Sequence, residues 1–229
     1  MLLKGILFDL DNTLMDRDHT FRSFAEQLVR EHLGHLSPEQ QRETVLYMIE
    51  SDADGYRPKD GFFQELLDRL PWRQPMDMDK LKAYYEANYM THAQVMRHGV
   101  ECLRHVRSLG LKTGLITNGV TRLQNGKIDL LGLRELFDAV VISEEAGIRK
   151  PDERIYKLAL EKLGTAAEET IIVGDHPVND IWGAARIGLK GIWLRRNHKW
   201  SDDLDGEPWA FIDELDEVAD IVEREIGAK

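Results

Sequence analysis

A chain of 229 residues has room for one large domain or two small ones, and either can bury a sizeable core. A formal charge of −11 argues against nucleic acid or an anionic membrane surface as a general partner. Cys102 is the only cysteine, so no intrachain disulfide forms, which fits a reducing, cytoplasmic setting; no apolar run approaches a membrane span, and the first one is too short for a signal peptide.

The first predicted element is a short buried strand. Ile6-Leu7-Phe8 is a continuous apolar run, as in a parallel strand covered on both faces. It ends in Asp9-Leu10-Asp11. Residues two apart on a strand point to one side, so Asp9 and Asp11 can serve one site at the edge where parallel sheets bind ligands. Two carboxylates there repel each other unless a cation or a proton lies between them. Taken alone, the pair also reads as a solvated turn or a helix cap.

After Thr13 the pattern turns helical and stays so for about eighty residues. Phe21, Phe24, Ala25, Leu28, Val29, His32 and Leu33 follow the helical period, and Gly34 is placed to stop that helix. Ser37-Pro38-Glu39-Gln40 spells a capping box with proline at the first helical position. Phe62, Phe63, Leu66, Leu67 and Leu70 mark a third helix ended by Pro71; Leu81, Tyr84, Tyr85, Asn88 and Tyr89 mark a fourth. This block, residues 16–95, has no convincing strand.

From Gly99 helices and strands alternate. A helix through Leu103 and Val106 leads to a strand over 112–116, a helix over 123–131 to a strand over 139–142, a helix over 151–163 to a strand over 170–173, and a helix over 177–187 to a strand over 191–194. Such alternation reads as α/β, a doubly wound, Rossmann-like parallel sheet. Residues 1–15 and 96–229 would form this core, interrupted by the helical block as a separate domain. Cys102 falls among Val100, Leu103 and Val106, which makes it a buried, inert thiol. Eleven acidic residues between Ser201 and Lys229 face only Arg224 and Lys229 as basic residues, which reads as a solvated helix face plus linker. Trp209, Phe211, Ile212, Leu215, Val218, Ile221 and Val222 are spaced there to pack onto a core.

Three later segments carry polar residues that match the aspartate pair. Thr113-Gly114-Leu115-Ile116-Thr117-Asn118-Gly119 is a strand ending in a hydroxyl, an amide and a glycine. Arg149-Lys150-Pro151-Asp152 places a lysine before a helix start, with proline suited to the first helical position. Ile171-Ile172-Val173-Gly174-Asp175-His176-Pro177-Val178-Asn179-Asp180 is a strand followed by two more aspartates. With Asp9 and Asp11, these segments resemble the four motifs of the haloacid dehalogenase superfamily, in order, over roughly residues 1–15 and 95–200.

The resemblance implies a Mg²⁺-dependent phosphatase of small phosphate monoesters. Asp9 would be the nucleophile that forms an aspartyl-phosphate, and Asp11 the general acid and base. Asp9, the Asp11 backbone carbonyl and Asp175 would hold Mg²⁺, which suits hard oxygen ligands beside a phosphate. Asp180 would stand one layer further out, orienting a water or Lys150. Thr117, Asn118 and Gly119 would hold the phosphoryl oxygens, and Lys150 would neutralise charge on them and on Asp9. The helical block would be a four-helix cap, hinged near Leu14–Asp18 and Ala93–His98, that closes over the active site. The partner would be a small phosphorylated metabolite and the assembly a monomer or homodimer.

Asn12 stands where many relatives have glycine, and His176 where serine or threonine is more usual. His176 reads as a neutral loop histidine ahead of a substrate contact. The motif spelling most resembles the phosphoglycolate phosphatase and pyrimidine 5′-nucleotidase-like branches. Phosphoglycolate, nucleoside monophosphates and sugar phosphates are all compatible, with Tyr56, Arg57 and Tyr85 among the cap residues available to contact them. Asp11 argues against a 2-haloacid dehalogenase, which has no phosphoester leaving group to protonate. A β-phosphoglucomutase shares all four motifs, a phosphonatase would need a Schiff-base lysine among Lys59, Lys80 and Lys82, and a non-catalytic binding protein of the same fold is the remaining alternative.

Overall fold

A computed structural model describes residues 3–227. The chain divides into two compact units, one made of Met1–Asp16 and Val95–Lys229, the other of Arg17–Gln94. The chain begins with strand β1 (Gly5–Phe8), buried at every position. It then leaves the first unit for four helices: α1 (Arg17–His32), α2 (Pro38–Asp52), α3 (Lys59–Arg69) and α4 (Met78–Asn88).

The helical unit has its own core, built from Phe21, Phe24 and Leu28 of α1, Met48 of α2, Phe62 and Leu66 of α3, and Leu81 of α4. Its ends are fixed locally. The Ser37 hydroxyl accepts from the Gln40 N–H while the Gln40 side chain accepts from the Ser37 N–H, closing the expected capping box. The Asp77 carboxylate caps α4 by accepting from Lys80 N–H at 2.9 Å. Tyr85 stacks on Tyr89 at 4.8 Å and meets Phe24 and Phe63 edge-on, so it belongs to the packing of this unit. Arg57 is engaged by Ser51 and Glu65, and Tyr56 is half exposed. Asp52 is buried and receives both Arg17 and Lys59.

The first unit resumes with α5 (Gly99–Ser108), β2 (Lys112–Thr117), α6 (Thr121–Leu130), β3 (Ala139–Ile142), α7 (Ser143–Ala146) and α8 (Glu153–Leu163). It continues with β4 (Thr170–Gly174), a widened π-helical turn over Pro177–Trp182, α9 (Gly183–Ala185), β5 (Lys190–Leu194), β6 (Ala210–Ile212) and α10 (Glu217–Gly227). The strands form one six-stranded sheet in the order β3-β2-β1-β4-β5-β6. Every pairing is parallel. Leu7, Ile116 and Ile172 from three adjacent strands pack with Ile155, Tyr156, Ala159 and Leu163 of α8 on one face. Cys102 lies buried on α5, and burial pushes its thiol up to about 12.

Three expectations change. Residues after Ser201 do not form only linker and helix, since Ala210–Ile212 adds β6 to the edge of the sheet. Three residues are too few to show a two-residue period, so the strand had no readable pattern. Helix α8 starts at Glu153, and Pro151 stands before its cap; the Asp152 carboxylate accepts from Arg154 N–H at 3.0 Å and sets the start. The expected helix over 177–187 opens as the π-helical turn, which carries Asp180.

Candidate active site

Strand order reverses beside β1, because β2 lies on one side and β4 on the other. The carboxyl ends of β1, β2 and β4 therefore border the switch point where α/β sheets bind ligands. Asp9 is the first residue past β1. Its N–H donates to the Val173 carbonyl at 3.0 Å, so its backbone is still held by β4.

A tight turn follows. The N–H groups of Leu14 and Met15 both donate to the Leu10 carbonyl, at 2.9 and 2.8 Å. Asn12 has φ +58°, in the left-handed region that asparagine and glycine adopt most readily, so either residue suits this turn. The turn brings Asp11 to α6. Lys127 Nζ lies 2.7 and 2.8 Å from its two carboxylate oxygens, and Gln124 Nε2 donates to one of them at 2.9 Å. The same amide donates to Thr117 Oγ1 at 2.7 Å.

Lys150 is buried, and its ammonium has three acceptors for three protons: Asp9 Oδ1 at 2.6 Å, Asp180 Oδ1 at 2.6 Å and the Ile116 carbonyl at 2.9 Å. Its backbone is clamped by the Asn118 side chain. Asn118 Oδ1 accepts from Lys150 N–H at 2.9 Å, and Asn118 Nδ2 donates to the Lys150 carbonyl at 3.0 Å. Gly119 N–H donates to Ser143 Oγ at 3.0 Å. A Cβ on Gly119 would come within 2.7 Å of Gln124, so the glycine makes room for that side chain.

Asp175 follows β4, and its carbonyl accepts from Trp193 Nε1 at 2.9 Å. Asp180 reaches back from the π-helical turn, accepting from His176 N–H at 2.9 Å. A Cβ on Gly174 would sit 2.4 Å from Asp180, so this close return requires glycine. His176 Nδ1 accepts from Val178 and Asn179 N–H, both at 3.2 Å, and caps the turn. Its ring lies 4.3 Å from that of His198, and burial followed by that neighbour lowers its pKa. A neutral histidine with Nδ1 as acceptor fits this role. Tyr156 lies beneath, its hydroxyl donating to the Asn179 carbonyl.

Two buried carboxylates share one ammonium here. Burial pushes Asp9 from the usual carboxylate range up to about 7; Lys150 pulls against it, and the nearby charge of Asp180 adds a smaller push. Burial alone would lower Lys150, but Asp180 and Asp9 override it and hold the lysine above its ordinary value.

Asp9, Asp175 and Asp180 each offer a carboxylate oxygen, and these lie within 4.8 Å of one another. All three residues are buried. An all-oxygen donor set with surplus negative charge fits a hard divalent cation. The Asp11 carboxylate is not part of that group.

Gln124, Lys127, Ser143, Tyr156 and Trp193 were not singled out in the sequence. For the first two a signal existed. They are polar residues three apart on α6, and with Ile128 they form its buried face, while Leu123 and Leu130 are exposed.

The model of the haloacid dehalogenase-like hydrolase family matches residues 6–194. A glyceraldehyde 3-phosphate phosphatase of Pyrococcus furiosus is 28% identical over 231 residues, covering 99% of this chain and 95% of the relative. A pyrimidine 5′-nucleotidase of Escherichia coli is 42% identical over 89 residues, covering 38% of this chain and 40% of the relative. The crystal structure of a HAD phosphatase from Thermococcus onnurineus superposes with a TM-score of 0.66 at 26% identity, covering 96% of this chain and 98% of that one. The chain belongs to the haloacid dehalogenase-like hydrolase family.

Proposed function

We propose that this protein hydrolyses small phosphate monoesters with Mg²⁺, through an aspartyl-phosphate on Asp9. The observation that carries this reading is the buried Asp9–Lys150–Asp180 assembly beside Asp175 at the sheet's carboxyl edge. Mg²⁺ would be held by Asp9, Asp175, the Asp11 carbonyl and, by proximity, Asp180. When bound, it neutralises the surplus charge and keeps Asp9 ionised as a nucleophile.

In the first half of the reaction an Asp9 oxygen bonds to phosphorus as the bond to the leaving oxygen breaks. Asp11 gives that oxygen its proton. In the second half Asp11 takes a proton from water, the water oxygen bonds to phosphorus, and the Asp9–phosphorus bond breaks to release phosphate. Lys150 stays charged throughout and offsets the negative phosphoryl oxygens. The Thr117 hydroxyl and the Asn118 N–H would hold those oxygens.

We assign substrate choice to the helical unit, residues 16–95, acting as the cap. The named activity of the Pyrococcus relative makes three-carbon phosphates the first esters to compare with phosphoglycolate and nucleoside monophosphates. The test is phosphate release from such a panel, with and without Mg²⁺, by the protein and by Asp9→Asn. Release that needs metal and vanishes in the variant is expected. Release that survives Asp9→Asn would overturn the assignment of the nucleophile.

A further inference from the structure

We infer that Gln124 and Lys127 are positioning residues that hold Asp11 for its proton transfers, with Gln124 also tying that carboxylate to the Thr117 hydroxyl. The inference rests on the reading of Asp11 as general acid and base given above.

Asp11 lies in the turn after β1, where its backbone forms an isolated bridge with Met15. Its carboxylate is contacted by two side chains of α6. Lys127 contacts both of its oxygens, at 2.7 and 2.8 Å, and Gln124 adds a third bond at 2.9 Å. A carboxylate gripped at both oxygens by groups on a rigid helix has little freedom to rotate. Both grips come from positions three apart on α6, which share one face.

The arrangement is costly to build. Lysine and glutamine are among the residues least often buried, yet Lys127 is 9% exposed and Gln124 2%. Their polar groups need partners once removed from water, and Asp11 and Thr117 provide them. An apolar pair would fill the same helix face without that requirement. Gly119 belongs to the same device, since a Cβ there would strike Gln124 at 2.7 Å. One amide thus joins the proposed acid–base residue to the proposed phosphate-binding hydroxyl.

The test is a double-mutant cycle on the full chain with saturating Mg²⁺, reading kcat for phosphate release from glycerol 2-phosphate. Asp11→Asn is expected to lower kcat by about 100-fold or more. Lys127→Met alone should lower it by roughly 10-fold, and by a much smaller factor when combined with Asp11→Asn, because its effect runs through Asp11. Lys127→Arg should recover most of the loss. If Lys127→Met costs the same factor with and without Asp11→Asn, its role is merely structural and the inference fails while the reading of Asp11 stands. If Asp11→Asn itself leaves kcat unchanged, the reading fails and the inference with it. Should Lys127→Met melt well below the parent, Gln124→Ala is read through the same cycle, with the same two outcomes deciding.

Discussion

Two lysine–carboxylate pairs lie at the carboxyl edge of this sheet, and they are built differently. Lys150 is sealed: its side chain is 2% exposed, it has three acceptors, and its backbone is clamped by Asn118. Lys127 is less deeply enclosed: its side chain is 11% exposed and that of its partner Asp11 is 24% exposed. A sealed pair holds a fixed charge where a phosphoryl group would be transferred. A partly solvated pair leaves its carboxylate able to exchange protons with a substrate oxygen or a water. On the proposed mechanism the contrast separates electrostatic support from acid–base work, and each half can be broken on its own.

The largest effect should come from the sealed pair. Lys150→Met leaves Asp9 and Asp180 facing each other without a cation. Removing one partner of a buried pair typically costs about 3–5 kcal/mol, so denaturant unfolding of the metal-free protein should show a loss of that order, alongside loss of activity. A loss below about 1 kcal/mol, the range of exposed pairs, would place Lys150 in solvent contact and contradict the description. Next in size is Gly174→Ala, whose Cβ would collide with Asp180 at 2.4 Å. An overpacking cost of about 1–3 kcal/mol is expected by thermal or denaturant unfolding, with weakened Mg²⁺ binding by calorimetry. Unchanged stability and metal affinity would mean Asp180 is free to retreat.

How much of this was legible in the sequence follows from the same contrast. Residues of the sealed pair and its neighbour Asp175 sit directly after strands or in fixed motifs: Asp9 after β1, Asp175 after β4, Lys150 before α8. Their positions along the chain imply their positions on the sheet edge. Gln124 and Lys127 act from the middle of a helix, and only the direction in which α6 presents its faces brings them to Asp11. The leucines at 123 and 130 of the same helix are both exposed. The four helices of residues 17–94 were readable because Phe21, Phe24, Phe62 and Leu66 are large, apolar and helically spaced. Strand β6 was not readable, because its partner β5 specifies it and its three residues do not.

The smallest expected effect concerns protons. In the metal-free protein Asp9 has its pKa raised from 3.8 to about 7, chiefly by burial. Its folded-state pKa lies above its unfolded one, so between those values the folded protein binds the extra proton. Stability contributed by this group is therefore full below about pH 4 and is lost as pH rises through about 7. A divalent cation held by Asp9, Asp175 and Asp180 would replace that proton. Adding Mg²⁺ at about pH 6 in weak buffer should release protons, and Asp9→Asn should abolish most of the release. Proton release unchanged in the variant would mean another group carries the linkage.

The central claim is a covalent phosphoryl group on Asp9, and acid quenching during steady turnover followed by mass spectrometry of the Asp9-bearing peptide tests it most directly. The account predicts a phosphoryl adduct on Asp9 that appears with substrate and Mg²⁺ and decays when substrate is exhausted. Rapid turnover with the adduct on a different residue, or with none trapped even when Asp11→Asn slows its hydrolysis, would contradict it.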